Sequence, residues 1–230
     1  PVEFVYFARL QYSKAMEAQG QKYKARAVRE ETIRMYEKYV EGGGEPGAHT
    51  EFVAEMMFTE AQPVLESYMA KTIDGCNCTS RSREDKAMTA SLKGKAEALV
   101  EVEQALAKII VTGAGEWGLA SLVALGKAYE NMAESLENSH MPFYLTEDQK
   151  EIYVMALEDK VYPQTEKAAE AFSKALEKSY ELTLYNDNTA YATRALGVLR
   201  PDDYPGLEEH LLQPNLTSRS TRYFDFATEL

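Results

Sequence analysis

An all-α fold is what this 230-residue sequence predicts, and three observations predict it. Apolar residues recur at helical spacing along most of the chain, sustained period-two alternation is rare, and one apolar stripe is unusually long. That stripe, Met88, Leu92, Ala96, Leu99, Val102, Leu106 and Ile109, advances by 4, 4, 3, 3, 4 and 3 residues. Such steps hold one face of a helix, while Asp85, Lys93, Glu97, Glu101, Gln104 and Lys108 take the other faces, as a half-buried helix requires.

The elements follow in order. Residues 2–19 and 23–41 make a first helical pair, the second carrying Tyr23, Ala27, Ile33, Tyr36 and Val40, and the run Gly42, Gly43, Gly44, Glu45, Pro46, Gly47 stops it. A second pair is expected over residues 50–74, with Pro63 in the first turn of its second helix, where a missing N–H is tolerated. The polar stretch 75–83 reads as a flexible internal loop. The long stripe occupies 84–112, and after Gly113, Ala114 and Gly115 a helix runs over 116–138. Thr146 and Gln149 form a capping-box pattern that starts the next helix, and a last one spans 188–199 before Pro201. From Pro201 onward, Pro205, Gly206 and Pro214 interrupt any helix. The stretch 206–230 reads as an extended arm whose Tyr223, Phe224 and Phe226 favour docking, on the chain's own body or on a second copy. The organisation is therefore 1–74, two amino-terminal hairpins; 75–83, a loop; 84–205, helical repeats with an inserted extension; and 206–230, the arm.

Composition narrows the function. A formal charge of −12 and a pI near 4.9 repel phosphate backbones, which argues against nucleic acid and anionic membrane surfaces as partners. No apolar run approaches the roughly 18–20 residues that span a bilayer, which excludes direct membrane insertion by a helix. Pro1, Val2, Glu3 and Phe4 carry neither the basic nor the apolar region of a signal peptide, so the chain is expected to be cytoplasmic or to have an export signal outside this sequence. Cys76 and Cys78 are too close in sequence to staple distant parts of a fold. With no second cysteine pair and no histidine cluster nearby, they read as loop cysteines that oxidise locally, and no metal is expected.

Two motifs invite catalytic readings. Gly113, Ala114, Gly115, Glu116, Trp117 and Gly118 spell GxGxxG after an apolar run and before a helix, but that run is the end of the long stripe and no strand begins there. A helix–helix turn is the simpler reading. Glu137 and His140 form one ExxH, whereas ferritin-like iron sites use two, so a surface polar pair is favoured. The expectation is a protein that is not an enzyme and has no cofactor; the alternative is a helical protein or enzyme binding a small molecule or nucleotide through the Gly113-to-Gly118 loop or the Glu137/His140 pair.

A different motif carries the argument further. Leu122, Leu125, Gly126 and Tyr129, followed by Ala168 and Phe172, reproduce W-x2-L-G-x2-Y and A-x3-F with Leu in place of Trp. Leu122, Leu125 and Tyr129 share one stripe, and Gly126 admits a close neighbour. Tyr129 and Ala168 stand 39 residues apart, against about nine in an ordinary repeat, so the second helix is extended by an insertion and kinked near Pro163. The chain thus resembles tetratricopeptide-repeat (TPR) proteins. With Gly115, Glu116 and Trp117, the run from Tyr162 to Phe172 and the Leu199-Arg200-Pro201 end, it is similar to TPR-like proteins of the deltaproteobacterial envelope, including those attached to gliding-motility machinery. The resemblance implies antiparallel hairpins stacked as a short α-solenoid with an extended tail. It further implies a non-catalytic scaffold that binds a protein or extended peptide, in the periplasm or envelope. Family geometry places Ala120, Val123, Lys127 and Glu130 on the ligand face of one helix and Tyr191 and Arg194 on that of another.

Overall fold

The computed structural model describes residues 2–76 and 78–205, and 79% of these residues are helical, with no strand among them. Among the described residues seven helices follow one another: α1 (Val2–Ala18), α2 (Lys22–Glu41), α3 (His49–Met69), α4 (Arg81–Val111), α5 (Gly115–Glu137), α6 (Glu147–Leu182) and α7 (Asp187–Leu199). The arm expected over 206–230 lies outside the described residues.

Odd-numbered helices form a continuous row, α1 on α3, α3 on α5 and α5 on α7, and each even-numbered helix packs against the two odd helices that flank it in sequence. Three apolar cores record this order. Tyr6, Leu10, Tyr36, Val53 and Met56 close the first, between α1, α2 and α3. The second joins α3, α4 and α5 through Ala54, Tyr68, Val102, Leu106 and Met132, and the third joins α5, α6 and α7 through Val123, Ala168, Phe172, Leu176 and Leu196. Helices α3 and α5 each present residues to two cores, which is why neither has a broad polar face.

Local chemistry sets the boundaries. Gly43 takes φ +85° just past α2, a conformation that a side chain would strain, and Gly113 does the same at +76° between α4 and α5. Thr146 and Gln149 make the reciprocal capping box at the start of α6. Asn186 caps α7, its side-chain oxygen accepting from the Asn188 and Thr189 amides at 3.0 and 3.2 Å.

Two expectations need correction. Residues 50–74 do not form a helical pair: α3 is one helix of 21 residues with Pro63 inside it. Proline removes one donor from the ladder, leaving the Thr59 carbonyl without its helical partner, and contacts of α3 with α1, α2, α4 and α5 hold the helix together across the gap. The loop also ends earlier than 83, because α4 begins at Arg81. The inserted stretch is the first half of α6, continuous over 36 residues with Pro163 inside. Its Leu157 and Val161 pack on the second core, while Ile152 and Met155 stay exposed.

Candidate functional site

The motif halves that are distant in sequence meet at the α5–α6 contact. A Cβ built on Gly126 would collide with the Phe172 ring, so the glycine is what allows the two helices this separation. Ala168 is buried beside them, Leu122 packs on the third core, Leu125 on the second, and Tyr129 on both. The Tyr129 hydroxyl donates to Glu103 of α4 at 2.7 Å, and Lys167 of α6 lies 5.1 Å from the centre of its ring. One tyrosine therefore ties three helices together.

That packing fixes the orientation of α5 and hence of the predicted face. Lys127 Nζ sits 4.0 Å above the centre of the Tyr191 ring, a cation–π contact between α5 and α7. The Tyr191 hydroxyl donates to Glu130 at 2.8 Å, and its ring lies 5.7 Å from that of Phe172. Burial raises the Glu130 carboxyl above its ordinary value, and the Tyr191 hydrogen bond opposes the shift. Tyr191 is pushed up to about 12, by burial first and then by its bond to Glu130. Arg194 is exposed one turn further along α7. Ala120 and Val123 are buried, so of the six residues assigned to this face Lys127, Glu130, Tyr191 and Arg194 are the ones that reach its surface. Tyr191 is both a surface group and a support of the third core.

A second concavity has no counterpart in the sequence reading. A groove of 1230 Å3 runs between α2 and α4 over α3, with Arg26, Arg29, Glu60, Pro63, Glu97 and Trp117 among its walls. Arg29 is almost buried and bridges Glu60 at 2.6 Å and Glu17 at 2.9 Å, joining three helices. Trp117 packs against Phe58 with ring centres 5.2 Å apart, so it anchors α5 on α3 while lining the groove. A Cβ on Gly94, on the opposite wall, would meet nothing within 4 Å. The sequence trace of this groove is faint: small Gly94 and Ala98 four residues apart on α4, and Pro63 on α3.

The motifs with catalytic readings are also placed. Gly115 N–H, at the start of α5, donates to the Glu51 carboxylate of α3. The amide that a pyrophosphate would use at this helix end is held by the chain's own carboxylate. Glu137 is exposed at the end of α5, and His140 pairs elsewhere: its Nε2 is 2.8 Å from Glu84 Oε1. Cys76 and Cys78 are joined by a disulfide. His49, unremarked in the sequence, is buried among Tyr6, Tyr36 and Tyr39 with neither ring nitrogen hydrogen-bonded.

No protein-family model, no curated protein and no solved structure matches the chain.

Proposed function

We propose that the protein is a TPR-like helical scaffold that binds a protein or extended peptide within a bacterial envelope assembly, and that Lys127, Glu130, Tyr191 and Arg194 form part of the contact surface. The observation that carries this reading is the Lys127–Tyr191–Glu130 cluster, which holds a cation, an aromatic ring and a carboxylate in fixed relation across neighbouring odd-numbered helices. Pre-ordered aromatic and cationic side chains lose little freedom on binding, and such groups dominate interface energetics. The alternation of odd and even helices, and the close Gly126–Phe172 approach, support the hairpin geometry from which the surface was assigned. A scaffold is favoured over nucleotide chemistry at Gly113 to Gly118 because Glu51 occupies the loop's amide.

The test is quantitative capture of partners from the native organism, with wild type compared against Lys127→Ala/Arg194→Ala. The expected result is a partner set depleted by about 1–3 kcal/mol in affinity, roughly 5- to 150-fold, with an unchanged melting curve. Equal capture by both proteins contradicts the assignment of this face.

A further inference from the structure

We propose that Cys76, Cys78, Glu84 and His140 form a zinc-class metal site that opens when the Cys76–Cys78 disulfide is reduced. One ligand atom from each of Cys76, Cys78 and Glu84 lies within 4.8 Å of the others. A tetrahedral site with metal–sulfur bonds of about 2.3 Å has edges of about 4 Å, so the two sulfurs, bonded to each other in the disulfide, must separate on reduction while staying beside the Glu84 carboxylate. The fourth is His140, which stands outside that three-donor group: its Nε2 is 2.8 Å from Glu84 Oε1, its backbone N–H donates to the Ile73 carbonyl at 3.3 Å, and its ring has to swing toward the sulfurs once they separate.

Glu84 is the telling residue. It is fully buried in the first turn of α4, and its Oε2 accepts the Cys76 N–H at 2.9 Å, which anchors the loop to the helix. Anchoring explains Oε2 and leaves Oε1 unexplained. That oxygen is buried and makes no aligned hydrogen bond, because His140 Nε2 is near in distance without directing its N–H at it. A buried carboxylate oxygen with no aligned donor is costly, and a cation shared with the imidazole and two thiolates would satisfy it. Gly75 keeps the space open, since a Cβ there would run into Glu84 Oε1 and come within 2.8 Å of the His140 ring. Half-buried Cys76 and Cys78, with a His140 side chain 45% exposed, leave a path from solvent. Two thiolates, an imidazole and a carboxylate suit Zn2+ better than a hard cation such as Mg2+ or Ca2+.

Opening requires a dithiol reductant. It gives two electrons and two protons to the disulfide, leaving two cysteine thiols and becoming a disulfide itself. The incoming Zn2+ then displaces both thiol protons to solvent and bonds the two thiolates.

Co2+, a spectroscopic stand-in for Zn2+, tests this on the full chain after phosphine reduction. The proposal expects one Co2+ per chain, thiolate-to-cobalt charge-transfer absorption with tetrahedral ligand-field bands, displacement by Zn2+, and neither band in unreduced protein. His140→Ala and Glu84→Gln should each weaken binding by at least about 10-fold while retaining charge transfer. If Glu84→Gln fails to fold, the half-exposed His140 decides. Absence of charge transfer in the reduced wild type, Co2+ uptake equal to that of Cys76→Ser/Cys78→Ser, or full affinity in His140→Ala overturns the site.

Discussion

The two ends of the molecule are held together by different means. Around α5, α6 and α7 the core is built from small residues, with Ala168, Ala169, Ala175, Ala192 and Ala195 buried around Phe172, so helices approach closely and shape is the constraint. Around α1, α2 and α3 the core is bulky and aromatic, and the almost buried Arg29 links Glu17 of α1 to Glu60 of α3. The difference teaches where the chain tolerates change. A closely packed end resists added or lost volume, whereas a polar-tied end resists loss of a partner.

Phe172→Ala should be the most damaging change, because it empties the centre of the small-residue core; a loss of about 3–5 kcal/mol is expected by denaturant titration. Arg29→Met at the other end should cost about 1.5–3 kcal/mol, since it keeps the stem's packing but removes the 2.6 Å donor to Glu60, leaving that carboxylate only the exposed Arg26 at 3.3 Å. Equal tolerance of both changes would erase the distinction between the ends. Glycine provides a finer contrast. Gly126→Ala should destabilise, overpacking of about 1–3 kcal/mol exceeding the helix-propensity gain, while Gly94→Ala, whose Cβ enters open space, should stabilise by about 0.5–1 kcal/mol.

The smallest effect is electrostatic. Folded Glu130 holds its proton to higher pH than the unfolded chain does, so the native state binds more protons from the ordinary carboxylate value of 4.5 up to the raised one. Stability should therefore fall as pH rises through that window, and Glu130→Gln should flatten that part of the profile. A wild-type profile that rises there would mean that the Tyr191 hydrogen bond outweighs desolvation.

This contrast also explains what could be read from the sequence. Most of the α4 stripe, the Thr146–Gln149 capping box and the close helix approach at Gly126 were legible because periodicity and motif spacing encode them, although Leu92 of the stripe is exposed. Pro63 misled because a proline in a first helical turn and one carried mid-helix by tertiary contacts look alike along the chain. Family geometry assigned Lys127, Glu130 and Tyr191 to one face, and in the structure these three side chains meet, but it could not say that neighbouring helices cover Ala120 and Val123. The groove between α2 and α4, the aromatic box around His49 and the meeting of Glu84 with His140 depend on packing between remote segments, for which no local pattern exists.

The scaffold reading rests on the α5–α7 face meeting another protein, and site-specific photo-crosslinking in the native organism tests that contact directly. A photoreactive residue at Lys127 or Arg194 should yield the same discrete adduct, while one at Val111, 85% exposed at the end of α4, should not. No adduct from either face position, or an identical adduct pattern from Val111, would contradict the account.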